Sequence, residues 1–320
     1  MKLLQEKSDC CHAGIIRFGG KRRQCVGCRK TWRVQPAKRG RKTRRSQHSY
    51  LRQVFGQGLA VKQLANHSRL SVDAIYKRFA NNLDRLLRCK RRPRFKGRNL
   101  ILIIDGEWQY FNHCLWTLYL LSIKSVGDKT VTVLDPLLMP GKESANNWDK
   151  IFEALPVSIK SRVIALVSDG LKGIDSIAFK RGWILQRCHF HVLNTLQKMR
   201  GKRATTKGRI IREEIYQLVK MALSENKQIN LHRYCQRLAI LFNNEGCPVK
   251  MRMAVRDFLR KLPDFRSYIK YPKLCLPTTT NVMESINSLV RRKARTVNSP
   301  TAWFKWATAC VRFKSKFNCE

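Results

Sequence analysis

The chain has 320 residues, 65 of them Lys or Arg against 21 Asp or Glu, for a formal net charge of +44 and a pI near 10.6. With 43% hydrophobic residues it can build a sizeable core, which excludes a disordered polybasic tail, and its length suits roughly two domains. Each Lys or Arg that meets a phosphate releases condensed counterions, so nucleic acid is the first partner expected, with an anionic membrane surface as the rival.

The opening residues, Met-Lys-Leu-Leu-Gln-Glu-Lys-Ser-Asp, lack the apolar core of a secretory signal. A reducing compartment is therefore expected, cytoplasmic and nucleoid-associated if the source is prokaryotic, and the twelve cysteines are not expected to form a disulfide framework. Residues 1–37 read as a small hairpin module: Ile15 to Phe18, a turn at Gly19-Gly20, and a return into Cys25-Val26-Gly27-Cys28. A C-x-x-C turn presents two thiolates to one tetrahedral zinc, and Cys11 is the candidate third ligand. Cys10, Cys11 and His12 are adjacent, and neighbours rarely all reach one ion, so a degenerate pair with no zinc is the alternative.

Basic runs at 38–45 and 91–98 read as linkers that also touch phosphate, through Arg41, Arg44, Arg91 and Arg92. Between them, residues 46–90 read as a helix-turn-helix. Val61, Leu64 and Ala65 share one face of a short helix, and a turn at 66–71 follows. Ser71 then caps a longer helix in which Val72, Ile75, Phe79, Leu83 and Leu86 recur at helical spacing. Lys77, Arg78, Asn81 and Arg85 are left outward for a DNA groove, while a plain helical hairpin with a solvated basic face is the bland alternative.

From residue 99 the pattern becomes strands at 100–105, 115–123 and 130–134, a helix at 144–155, a strand at 162–168, a helix at 174–181 and a strand at 183–186. That order predicts a mixed α/β sheet covered by helices, split into 99–196 and 277–320 by a helical, basic insertion at 197–276. No run approaches the roughly 20 apolar residues that span a membrane. Asp105 and Asp169 each end an apolar run, and Glu284 sits in a late amphipathic helix whose apolar face is Val282, Ile286, Leu289 and Val290. In so basic a chain, carboxylates at strand ends suit divalent metal ions at a phosphate backbone. Taken singly, each acid also reads as a solvated turn residue or a cap.

Four strings agree in order: Ile104-Asp105-Gly106, Ser168-Asp169-Gly170-Leu171-Lys172-Gly173, Gln186-Arg187-Cys188-His189-Phe190-His191, and Thr279-Thr280-Asn281-Val282-Met283-Glu284-Ser285-Ile286-Asn287-Ser288. Over roughly residues 99–317 the chain resembles transposases of the Mutator-like superfamily and its bacterial insertion-sequence relatives. The resemblance implies a ribonuclease H-like fold with an all-helical insertion and a DDE triad of Asp105, Asp169 and Glu284 binding Mg²⁺ or Mn²⁺. It also implies a supporting C-x-x-H element, Cys188 and His191, with Asn281 and Arg291 as further supporting residues; His189 is extra to that element. Zinc ribbons occur at the N-termini of some such transposases. The implied partners are transposon terminal inverted repeats, target DNA and further copies of the chain in a synaptic complex, and the implied reaction is end cleavage followed by strand transfer. A non-catalytic DNA-binding regulator derived from a transposase is the alternative, and a ribonuclease acting on structured RNA is a third reading.

Overall fold

The computed structural model describes residues 4–7, 14–19, 22–33, 49–66, 70–89, 91, 93–201, 208–295, 297–313 and 316–318. The chain divides into two compact units, Met1–Tyr50 and Leu51–Glu320. In the first, β1 (Leu4–Lys7), β2 (Gly14–Arg17), β3 (Arg22–Cys25) and β4 (Thr31–Arg33) form an antiparallel sheet in sequence order. The β2–β3 hairpin pairs Ile15 with Cys25 and Arg17 with Arg23. Cys25 is buried at the end of β3, and a tight turn follows in which Arg29, at φ +55°, donates its N–H to the Cys25 carbonyl at 3.0 Å. Cys28 lies exposed on that turn. Cys10, Cys11, His12, Arg41, Arg44 and Arg92 lie outside the described residues.

The second unit begins with a π-helical turn, Arg52–Gly56, and α1 (Gln63–Asn66), followed by α2 (Val72–Arg88). Ser71 caps α2, its Oγ accepting the Ala74 N–H at 3.3 Å, as the sequence predicts. The buried face is narrower than predicted: Ile75, Phe79 and Leu83 are buried, whereas Val72 is exposed and Leu86 half-buried. Phe79 packs against Phe55 and Trp306, and Phe55 against Trp306 and Phe313, so aromatic contacts tie α2 to α13 (Pro300–Phe313) at the far end of the chain. The turn segment 67–69 is outside the described residues.

A mixed sheet organises the rest. β5 (Leu100–Phe111), β6 (Cys114–Ser125) and β7 (Thr130–Val133) form an antiparallel meander, with β8 (Leu137–Pro140) also pairing with β6. β9 (Val163–Ser168) and β10 (Ile184–Arg187) add in parallel on the other side of β5, and β11 (Lys316–Asn318) pairs with β7. The order is β10-β9-β5-β6-β7-β11. The continuous apolar runs in β5 and β9 are buried on both faces, the mark of strands covered by helices. One core joins Leu100, Leu102, Ile104, Tyr119 and Leu166 to Trp148 and Phe152 of α3 (Ala145–Glu153), Ile159 of the single turn α4 (Val157–Lys160), and Ile174 and Ile177 of α5 (Ile174–Lys180).

Two expectations need correction. β5 does not end at Asp105: it runs six residues further as a ribbon with β6, closed by a two-residue turn at Asn112 and His113, both at positive φ (47° and 64°). The ribbon persists because antiparallel pairing needs no apolar run, so its polar and aromatic residues conceal it from a search for buried strands. β8 and β11, each too short to show a period, were not foreseen.

Between β10 and the last two helices, α6 (His189–Met199), α7 (Arg209–Ser224), α8 (Gln228–Phe242) and α9 (Val249–Arg260) share a second core around Leu196, Val219, Leu238, Met251 and Phe258. Short helical turns, α10 (Leu262–Phe265) and α11 (Ser267–Lys270), lead back towards the sheet and α12 (Asn281–Lys293). Among the described residues no helix is long and apolar enough to cross a membrane.

Candidate active site

Parallel pairing between β5 and β9 runs as far as Ile103 with Val167; two residues further along both chains, the same register sets Asp105 level with Asp169. Past that point β5 continues without β9, and Asp169 stands where the chain leaves the sheet. Gly170, at φ +100°, makes that exit, and Asp169 Oδ1 accepts the Leu171 N–H at 3.1 Å. Adjacent strands lie about 4.8 Å apart, so the fold itself makes two widely separated aspartates neighbours.

Asp105 is 5% exposed. Burial pushes its carboxyl well above the ordinary range, and the negative charges of Asp169, Glu284 and Glu143 push it further, against the opposing charge of His191. Asn287 Nδ2 donates to Asp105 Oδ2 at 2.8 Å, and the Gly106 N–H donates to Oδ1 at 3.0 Å.

Glu284 arrives on the first turn of α12, with Asn287 one turn further along the same face. His191 Nε2 lies 3.2 Å from Glu284 Oε1, within ion-pair range though off the line of a well-formed hydrogen bond. That contact holds the Glu284 carboxyl below its usual value. Burial alone would lower His191, but Glu284 and the charges of Asp169 and Asp105 outweigh it and raise the imidazole.

The C-x-x-H spacing thereby acquires a geometric meaning. Cys188, buried at the N-cap of α6, accepts the Thr280 N–H at 3.2 Å and the Thr280 hydroxyl at 3.3 Å. Thr280 in turn accepts the Glu284 N–H at 3.0 Å through its carbonyl. One element thus holds both the backbone that starts α12 and the side chain of the acid it carries. Burial also raises the Cys188 thiol, which keeps it protonated. His189, unassigned from sequence, turns the other way: Nε2 meets the Phe265 carbonyl at 2.7 Å and its ring packs edge-on against Tyr268.

Sequence reasoning missed two residues. Glu143 lies just before Ser144, the N-cap of α3, and accepts a 2.6 Å hydrogen bond from Trp148 Nε1. Burial raises its carboxyl to about 7, Asp169 adding to the rise and the Trp148 donor opposing it. A Cβ at Gly106 would fall among the Glu143 carboxylate atoms, so the glycine is what lets this acid lie against the β5 backbone beside Asp105. Its one sequence signal was an acid in a basic chain, which reads equally well as helix entry. Asn287 stood inside a quoted string, but nothing in that string singles it out from Asn281. Asn281 is exposed, and among the described residues no hydrogen bond joins it to the acids.

Two basic residues expected at phosphates are occupied otherwise. Arg291 makes a bidentate pair with Glu107, both bonds 2.6 Å, because Glu107 follows Asp105 by two on the same face of β5. Arg91 is half-buried with Nη1 3.8 Å from Asp135, which also pairs with Arg312. Lys77, Arg78, Asn81 and Arg85 are exposed along α2, as expected.

Among the described residues no group of three or more His, Cys, Asp or Glu side chains is gathered closely enough to cage a metal ion. Magnesium does not require one: it commonly takes one or two protein carboxylates and completes its octahedron with waters and substrate phosphates. The donor set is all hard carboxylate oxygen, and burial, reinforced by the charge of Asp169, raises both Asp105 and Glu143. A small divalent cation fits that chemistry, and a soft, thiol-seeking one does not.

A family profile described as "Transposase, Mutator family" matches residues 117–312, a span that includes Glu143, Asp169, Cys188, His191 and Glu284 and begins just after Asp105. No curated protein matches the chain. With well over half of its length matched, the chain belongs to the Mutator family of transposases.

Proposed function

We propose that this transposase is a DDE enzyme on a ribonuclease H-like sheet, with Asp105, Asp169 and Glu284 as the cation-binding triad and Glu143 as a fourth carboxylate beside them. The observation that carries this reading is geometric: the β5–β9 register sets Asp105 level with Asp169, and the Asn287–Asp105 hydrogen bond brings α12, which carries Glu284, to the same end of the sheet. A three-stranded antiparallel meander followed by two parallel strands on the far side of β5 supports the fold assignment.

Bound Mg²⁺ or Mn²⁺ would neutralise charge on the attacking and leaving oxygens of a phosphodiester. Asp105 and Asp169 hold their side of the cleft through strand pairing, and Asn287 fixes the Asp105 oxygen it touches. His191 holds Glu284 in place on the helix side. A water then attacks phosphorus in line and the 3′-oxygen leaves with a proton, giving a 3′-hydroxyl and a 5′-phosphate. In the second step that 3′-hydroxyl attacks a phosphodiester of target DNA, forming one new bond and breaking one, so no nucleophilic side chain is needed. The basic face of α2 engages the ends, and two ends held together call for more than one copy of the chain. The thiolates of Cys25, Cys28 and Cys11 are proposed as ligands of a structural zinc.

The test is strand cleavage of labelled DNA carrying the inverted repeats that flank the gene. Nicking is expected in Mg²⁺ or Mn²⁺ and not in EDTA, on duplex DNA and not on structured RNA. Specific binding with no cleavage in any divalent cation would instead make the protein a regulator.

A further inference from the structure

We infer that Trp108 and Tyr110 form an aromatic shelf that receives an unpaired DNA base next to the phosphate held at the acids, an inference that rests on the DNA-strand chemistry proposed above. Both lie on the part of β5 that outruns β9, three and five residues past Asp105. At 61% and 58% exposure they are among the most exposed aromatic side chains described, and their rings meet edge to face at 6.0 Å.

Strand alternation explains the arrangement. Asp105, Glu107 and Phe111 point to the face covered by α12 and α13: Asp105 meets Asn287, Glu107 pairs with Arg291, and Phe111 packs on buried Trp303 at 5.7 Å. Gly106, Trp108 and Tyr110 point to the opposite face, where Glu143 already lies against Gly106. The ribbon is therefore pinned along one side and capped by its two-residue turn, while its other side offers two rings to solvent. Pinning matters because a rigid platform loses little freedom when a base stacks on it.

The occupant follows from place and charge. Trp108 follows Gly106 by two residues, about 7 Å along the strand, on the face where Glu143 lies, so a DNA strand that leaves the acids past Glu143 brings a base one or two nucleotides on over Trp108. Every base has a π-face, which makes stacking tolerant of sequence, and a chain of net charge +44 attracts a polyanion. Bases inside a duplex are already stacked, so the shelf selects strand ends that have frayed or been opened.

The experiment compares a blunt mixed-sequence duplex with the same duplex bearing a few unpaired nucleotides at one end, 2-aminopurine among them, at raised salt. Asp105→Asn protein is used so that binding is read without cleavage. The opened end is expected to bind about tenfold more tightly with altered 2-aminopurine fluorescence. Adding Trp108→Ala and Tyr110→Ala should abolish the preference and the signal while blunt-duplex affinity and melting temperature stay unchanged; Trp108→Phe with Tyr110→Phe should restore both. A preference retained by the alanine variant overturns the inference, as does its absence in the parent protein. A change in oligomeric state with the preference intact would assign the shelf to a protein contact. Should Asp105→Asn prove to cleave DNA normally, the triad assignment falls, and this binding comparison still reads the shelf on its own.

Discussion

Asp105→Asn is expected to lower divalent-metal-dependent strand cleavage by about a thousandfold or more, with DNA affinity changed by less than about twofold. Asp105 is buried, which raises its carboxyl first, and the charges of Asp169, Glu284 and Glu143 add to the rise. Its amide replacement keeps the size and much of the hydrogen bonding, since one face can still meet Asn287, but removes the charge that would hold a cation. Asp169→Asn and Glu284→Gln should behave alike. Stability should move in the opposite direction. A carboxyl raised by the fold favours the folded state only while protonated, so stability is lost as pH rises through its folded-state value. Asp105→Asn escapes that loss and should melt several degrees higher than the parent at alkaline pH in EDTA, which separates a removed catalytic charge from a damaged fold. Wild-type cleavage by the variant would remove Asp105 from the site.

Trp148→Ala should destabilise the protein by about 3–5 kcal/mol, measured by denaturant unfolding, because a fully buried indole leaves a large cavity. Its ring meets Tyr119 edge-on at 5.0 Å and stacks on Phe152 at 5.8 Å, at the centre of the sheet core. Trp148→Phe isolates the other function of the side chain. It keeps most of the packing but removes the Nε1–H that opposes the upward shift of Glu143. The Glu143 carboxyl then rises above about 7, so it stays protonated near neutral pH. The Mg²⁺ concentration needed for half-maximal cleavage should rise several-fold near neutral pH and return towards the parent value at alkaline pH. An unchanged requirement at both would show that Glu143 takes no part in holding the ion.

What could be read in advance, and what could not, divides by the distance over which the information is carried. The placement of Asp105 and Asp169 at the ends of apolar runs was legible in a chain with few acids, and a mixed sheet was legible from the order of those runs, while the pairing of β5 with β9 that sets the two level came from the fold. The helix that carries Glu284 was legible from its amphipathic face of Val282, Ile286, Leu289 and Val290. The residues that hold these acids in place were not, because their signals are contacts across most of the chain. Asn287 touches Asp105, Arg291 is taken by Glu107, and Cys188 meets Thr280, in each case over more than ninety residues of sequence. The distal half of β5 was hidden for a different reason. Its alternation of Trp108 and Tyr110 with Glu107 and Gln109 is not hydrophobic against polar in the usual sense, since the aromatic side is the one left in solvent. Glu143 was hidden by its neighbour Ser144, whose cap accounts for an acid at a helix entry without any need of a second role.

The central claim is that these carboxylates share a divalent cation, and Mn²⁺ titration followed by electron paramagnetic resonance tests it most directly. The parent protein should bind Mn²⁺ with an affinity that increases as pH rises through about 7, where Glu143 loses its proton. The double variant Asp105→Asn with Asp169→Asn should bind at least about tenfold more weakly at every pH. Equal Mn²⁺ binding by parent and double variant would contradict the claim.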